Sequence, residues 1–359
     1  MARTNLTRLA EVLDNGNSLS HHVGIDVHKR SYHLAFRRED GFLHTFVSPA
    51  DPQFLITKLM QTGINVARIV YEAGPTGFGL ARALGVVGYK VAVVAPSRVP
   101  RPVTAGAKTD RLDCIRLAEY SARDMIQGIA VPTEVEEAER SVIRRRHDLT
   151  DSIRRVKQRI RSLLLFSGIP EPDQLKNWSK KSAPALLKLP MLAGAKMTLR
   201  SLVRELIFLE KEKKQIERQL EHISSQARHS KEISCLQSVQ GVGAITAATF
   251  RLELFDPERF QNVGEVVSLL GLAPMVRQSG EGKARGKLRP VGQKRLRSLL
   301  IEAAWGWKSR DSAAAARYGK VLARCGTPQK AICALARHLA GILWRLLVEK
   351  RHYEIRQMA

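Results

Sequence analysis

At Pro132 the hydrophobic rhythm of this chain changes, and that change limits what it can fold into. Upstream, HVGIDVH, SYHLAFRR and FLHTFVS alternate with a period of two between residues 22 and 48, which predicts three strands with a turn at Gly41. PQFLITKLMQTG then reads as a short helix, NVARIVYEA as a buried strand, TGFGLARALGVVG as a glycine-closed helix and YKVAVVAP as a strand stopped by Pro96. Strands alternating with helices predict an α/β sheet domain over residues 21–130, preceded by an extension over 1–20. Downstream, neither Gly nor Pro occurs between Pro132 and Gly168, so a long charged helix is expected. After a Pro/Gly-rich patch at 184–194 the apolar residues Leu199, Leu202, Leu206, Leu209, Ile216, Leu220 and Ile223 fall three or four apart, broken at Lys213. That is close to a heptad seam over roughly three and a half repeats. Two helices pairing within the chain and a coiled coil between chains satisfy it equally. A helical, coiled-coil-like middle over 131–232 and a mainly helical last domain over 233–359 complete the expected α/β plus all-α architecture.

The chain carries 59 Lys and Arg against 34 Asp and Glu, a formal charge of +25, which points to a polyanionic partner, nucleic acid or an anionic membrane surface. On this reading no apolar run reaches the roughly 18 residues a spanning helix needs, and the N-terminal residues lack a signal-peptide core. Cys114, Cys235, Cys325 and Cys333 form no CxxC pair and no zinc-ligand spacing, consistent with reduced thiols in a cytoplasmic protein.

In so basic a chain four acids stand out. Asp26 lies in HVGIDVHK, Glu72 ends a strand in IVYEAGPTG, and Asp110 and Asp113 sit three apart in AKTDRLDC, where Thr109 is positioned to cap a helix. Taken singly, each is explained by a turn, a cap or a solvated face. Gathered at one point they would repel unless cations neutralised them. Hard oxygen ligands suit Mg²⁺ or Mn²⁺, and two such ions about 4 Å apart are the usual device at a phosphodiester.

The second cluster is basic. Around Arg277, Ser279 and three glycines, seven Lys or Arg residues fall between Lys283 and Arg297 with no acid among them. Lys283, Arg285, Lys287 and Arg289 alternate along it, and such a loop suits phosphate. There the Ser279 hydroxyl could attack a phosphodiester or simply donate a hydrogen bond. Gly241 and Gly243, in the turn between two helical segments, resemble a helix-hairpin-helix, in which backbone amides approach DNA phosphates.

The three opening strands resemble the meander of a ribonuclease-H-like sheet. Beyond that, GIDVHK, YEAGPTG and KTDRLD, followed by SVQGVGAITAATF and GLAPMVRQSGEGKARGKLRP, resemble the DEDD transposases of bacterial insertion sequences, over residues 22–310. The resemblance implies a RuvC-like first domain with acidic positions at Asp26, Glu72, Asp110 and Asp113, and a nucleophilic serine at Ser279. It also implies DNA recombination through a covalent serine–DNA link, acids and serine coming from different protomers of a homo-oligomer, and a structured noncoding RNA that pairs with donor and target DNA. Two departures from the family pattern are Cys114, where alanine is common, and Gln278, where many relatives have a second serine. The competing expectations are a RuvC-like nuclease that activates water, and a nucleic-acid-binding protein with a degenerate site.

Overall fold

The computed structural model of the 359-residue chain describes residues 12–13, 19–100, 109–277, 285–288 and 292–354. These fall into two compact units, Met1–Thr133 and Glu134–Ala359.

The first unit is built on one mixed sheet. Strands β1 (His21–Val27), β2 (Ser31–Arg38) and β3 (Leu43–Pro49) form an antiparallel meander, with the turn at Gly41 left-handed at φ 94°. Helix α1 (Pro52–Thr62) is capped by Asp51, which accepts from the Gln53 amide, and is closed by left-handed Gly63. Strand β4 (Val66–Glu72) pairs parallel with β1, helix α2 (Gly79–Val86) follows, and β5 (Val91–Val94) extends the sheet to the order β3-β2-β1-β4-β5. That order is compatible with a ribonuclease-H-like sheet.

Alternation along each strand decides what each face of the sheet meets. Val23, Ile25, Ile69, Tyr71 and Val93 pack against Leu55 and Leu59 of α1 and Leu80 and Leu84 of α2. The opposite face presents Val70, Ala92 and Val94 to Leu117 of helix α3 (Asp110–Ala122). Under α3 lies Gly24. A Cβ there would stand 2.1 Å from the carbonyl oxygen of Cys114 and 2.5 Å from the Ala118 nitrogen. Glycine at this position lets the helix lie directly on the strand, because any side chain would collide with helix backbone.

The second unit is almost wholly helical. Helix α4 (Glu134–Phe166) leads through a 3₁₀ turn (Asp173–Leu175) and α5 (Ser182–Lys188) to α6 (Ala193–Ser225). The two long helices run antiparallel, tied by Arg146–Glu217 at 3.0 Å, Lys157–Glu210 at 3.5 Å and Arg159–Glu205 at 3.6 Å. The leucine seam is therefore taken up inside the chain. Leu199, Val203 and Leu206 pack on Ile153, Val156, Ile160 and Leu164, whereas Leu220 joins a separate core with Ile143. Lys213, the break in the heptad pattern, falls between these two apolar clusters and pairs with Glu217 instead.

The base of α4 is fastened by buried charge. Arg140 meets Glu253 at 3.0 Å, and Glu139 meets His229 at 3.0 Å. Glu253 lies on α8 (Ala244–Leu254) and His229 on α7 (Ala227–Gln237). Helix α9 (Val263–Leu269), a two-stranded hairpin β6–β7 (Pro274–Arg277, Arg285–Leu288), α10 (Lys294–Arg310), α11 (Ser312–Cys325) and α12 (Pro328–Glu349) complete the unit. The hairpin, α9 and α11 were not foreseen from the sequence. Helix α12 corrects the expectation about apolar length: its 22 residues reach a mean hydropathy of 1.6 over an 18-residue window, enough by length and composition to cross a bilayer. Its packing is that of a core helix, with Leu335, Leu339, Leu343 and Leu346 all buried against α9, α10 and α11. Each such leucine stabilises the fold by about 1.5–3 kcal/mol relative to exposure.

Candidate active site

Asp26 is the next-to-last residue of β1, directly across from His33 on β2. On the other side β4 runs parallel with Ile25 opposite Tyr71, so Glu72, the last residue of β4, follows at the level of Asp26. Alternation turns both acids toward the α3 face of the sheet, the face of Gly24 and Val70. Thr109 caps α3 as its position suggests, its side chain accepting from the Leu112 amide at 3.3 Å. Asp110 and Asp113 form the first turn of the helix, where the backbone dipole favours negative charge.

One side chain that the sequence did not single out joins these elements. His28 Nε2 lies 3.1 Å from Asp26 Oδ2 and 3.3 Å from Asp110 Oδ2. His33 Nε2 approaches the same Asp110 oxygen at 3.8 Å, and its ring stands edge-on to that of His28 at 5.6 Å. The donor atoms of His28, His33 and Asp110 all lie within 4.8 Å of one another. The signal was present in the sequence: His28 is two residues from Asp26, and the β1–β2 turn folds His33 back opposite it.

The electrostatics follow from this gathering. Burial raises the Asp26 carboxyl above its ordinary value, His28 opposes that, and the charges of Asp110 and Asp113 raise it further. Arg116 approaches Asp113 at 3.5 Å. Beside them the Cys114 thiol is pushed up to about 11 by burial and donates to the Arg111 carbonyl, so it is a packing group. The structure thus brings Asp26, Asp110 and Asp113 within electrostatic reach of one another, and strand register sets Glu72 alongside.

This donor set fits a divalent cation. It is rich in carboxylate and carries an imidazole whose Nε2 faces two of the acids. Among the described residues His28, His33 and Asp110 are close enough together to hold such an ion, with Asp26, Asp113 and Glu72 the next oxygen donors.

The second candidate cluster is only partly described. Arg277 ends β6 opposite Arg285 at the start of β7, and Lys287 lies opposite Met275. Ser279 and Lys283 belong to the connection between these strands and, like Arg289, lie outside the described residues. Gly241 and Gly243 form the turn between α7 and α8. Gly241 has φ 89°, and a Cβ on it would stand 2.4 Å from the Trp307 nitrogen, so its glycine is required by close packing on α10, a reason the sequence did not suggest. Gly243, the N-cap of α8, faces open space.

Comparison with known proteins decides the family. Residues 23–168 match the profile of DEDD-type IS110 transposases, and residues 233–319 match that of the transposase IS116/IS110/IS902 family. A "Putative transposase y4qE" of Sinorhizobium fredii is 30% identical over 309 residues, covering 78% of this chain and 75% of that protein. The chain belongs to the IS110 family of insertion-sequence transposases. The IS1533 transposase of Leptospira borgpetersenii is 28% identical, covering 79% of this chain and 84% of its own length. The IS1111A transposase of Coxiella burnetii is 23% identical over 92% of this chain and 90% of that protein. As an IS110-family transposase the chain is a DNA-cutting and rejoining enzyme, and its DEDD-type domain is of a kind that typically uses divalent metal.

Proposed function

We propose that this transposase cuts and rejoins DNA through a covalent serine–DNA intermediate, with Asp26, Glu72, Asp110 and Asp113 as the metal-binding acids and Ser279 as the nucleophile. The observation that carries the metal half is the gathering of Asp26, Asp110 and Asp113 on one face of the sheet, with the Asp26 carboxyl raised by burial and by its acidic neighbours. Clustered carboxylates of this kind are neutralised by Mg²⁺ or Mn²⁺, which when bound would polarise a phosphate oxygen. The acids would hold that ion where the phosphate binds, and His28 keeps Asp26 and Asp110 together at the end of β1.

The Ser279 oxygen forms the new bond to phosphorus as its proton passes to a base, and the phosphodiester bond to the leaving sugar oxygen breaks, that oxygen taking up a proton. The energy of the phosphoester is conserved for rejoining. Arg277, Lys283, Arg285, Lys287 and Arg289 clamp phosphates around the serine, and the open Gly243 turn with Gly241 behind it offers backbone amides to the DNA. A structured noncoding RNA pairing with donor and target supplies sequence choice. The acids and the serine act together across protomers of a homo-oligomer.

The test is a denaturing gel of labelled element-end DNA incubated with protein, divalent metal and RNA transcribed from beside the gene. Wild-type protein is expected to give a protein–DNA adduct that Ser279→Ala abolishes, and Asp26→Asn to lower its yield by at least about 100-fold. Cleavage by Ser279→Ala with unchanged products would identify water as the attacking group and replace this reading with that of a RuvC-like nuclease.

A further inference from the structure

Far along the second unit, a cavity of about 680 Å³ opens between α10, α11, α12 and the segment that follows α12. Its volume lies within the roughly 300–1,000 Å³ typical of small-ligand sites. The floor is aromatic and fixed. Trp307 is 2% exposed, with His338 tilted against it at 6.0 Å and Tyr353 edge-on at 6.2 Å. Asp311 locks this floor: its carboxylate accepts from the Trp307 indole at 3.1 Å, the Tyr353 hydroxyl at 2.9 Å and the Ala314 amide at 2.9 Å.

The rim is cationic. Arg317 and Lys320 project from one side of α11, separated by a turn, and Arg345 from α12. Ala313 and Ala316 leave the space beneath them open. Among the described residues none of these three cations is ion-paired. The acid in the described lining is Glu354, and Arg351 beside it pairs with Glu349. The uncompensated charge is felt inside: burial, then Arg317 and Arg345, push His338 down to about 4, so it faces the cavity as a neutral ring.

A cavity with ring faces below and unpaired guanidinium groups above fits a ligand that is flat and apolar at one end and anionic at the other. Inorganic phosphate would leave the aromatic floor unused. Duplex DNA presents phosphates on a convex surface and keeps its bases stacked inside. An extruded or single-stranded nucleotide presents both parts together, and stacking of a base on an aromatic side chain is worth about 1–3 kcal/mol.

We propose that this cavity binds one unpaired nucleotide of a single-stranded nucleic acid, its base against the partly exposed His338 and Tyr353 rings that rest on buried Trp307, and its phosphate between Arg317 and Arg345. The cavity lining shares no residue with the acid cluster or the serine segment, and the proposal stands or falls independently of the covalent mechanism.

The test uses the full chain and fluorescence anisotropy of a labelled single-stranded oligonucleotide and of its duplex. Arg317→Gln/Arg345→Gln is expected to weaken single-strand binding about tenfold, the equivalent of about 1.4 kcal/mol, while duplex affinity stays within about twofold. Arg317→Lys/Arg345→Lys should recover most of the loss, and unchanged circular dichroism should accompany both variants, since the rim side chains are exposed. Photo-crosslinking from a strand carrying 5-iodouracil should reach the peptides containing His338 or Tyr353. Equal losses for single strand and duplex, no loss at all, or crosslinks confined to other peptides would overturn the proposal. A free nucleoside monophosphate that binds as tightly as the strand would overturn it too, by making the cavity a small-nucleotide site.

Discussion

A partly buried aspartate beside two further carboxylates carries a charge that the fold does not favour, and Asp26 is in that position. Its folded value is raised above 3.8, so the folded chain holds this proton to higher pH than the unfolded chain does. Stability contributed by this group is therefore lost as pH rises from 3.8 through the raised value, and the deficit persists at neutral pH. Asp26→Asn is expected to raise the melting temperature in EDTA, by about 2–4 °C for each kcal/mol relieved, and Mg²⁺ or Mn²⁺ to stabilise the wild type more than the variant. A lower melting temperature for the variant in EDTA, read by calorimetry, would refute the account. His28 makes a spectroscopic prediction. With its Nε2 3.1 and 3.3 Å from two carboxylate oxygens, Mn²⁺ bound there should show nitrogen hyperfine coupling in pulsed electron paramagnetic resonance, lost in His28→Phe. Mn²⁺ bound without nitrogen coupling would mean that His28 swings aside.

The positions of the four acids were legible because each sits at an element boundary with a local signature: apolar runs before Asp26 and Glu72, a capping threonine before Asp110. The part played by His28 and His33 was not, since it arises only when β2 folds back on β1 and α3 settles over both. That juxtaposition is tertiary, although the period of two would have placed Asp26 and His28 on one face.

At the level of elements, two glycines set how closely helices approach their supports. Gly24→Ala would drive a methyl group into the α3 backbone at Cys114, forcing the helix that carries Asp110 and Asp113 away from the strand that carries Asp26. The expected outcome is a loss of about 1–3 kcal/mol in urea unfolding together with weaker divalent-metal binding. Cys114→Ala, which removes a buried atom without pushing the helix, should cost less and leave metal binding intact. Unaltered metal affinity in Gly24→Ala would show that the spacing of α3 does not govern the acids. The strands β1–β5 and the long helices were readable because period and breakers are local properties. The hairpin β6–β7 was not: its strands have four residues each, too few for a period to declare itself, and its pairing joins residues on either side of a glycine-rich loop. The seam on α6 could be read as apolar but not assigned a partner. The cross-pairs from Arg146, Lys157 and Arg159 supply that partner within the chain.

At the scale of the whole molecule, net charge and buried or partly buried histidines act together. His21, His22, His44, His147, His229 and His338 are all held below the ordinary value, burial being the first cause in each case. The unfolded chain takes up these protons below 6.5 while the folded chain refuses them, down to about 4 for His338. Stability from this source is complete above 6.5 and is lost as pH falls through that window. Six histidines outweigh the opposite tendency of Asp26, and each proton gained by a chain already at +25 adds repulsion. The melting temperature is expected to fall between neutral pH and about pH 5, less steeply in His338→Gln, and bound DNA to reduce the fall. A flat profile across that range would contradict the argument.

The paired helices α4 and α6 have one more consequence, and it concerns distance. Each has 33 residues, which at 1.5 Å per residue makes a rod of about 50 Å. In B-form DNA the same span covers about 15 base steps at 3.4 Å each. Removing seven residues from each helix would keep the apolar seam in phase and shorten the rod by about 10 Å, roughly three base steps. The pair is thus a rod whose length is written in heptads, so its length changes in steps of about 10 Å if the seam is to stay in phase.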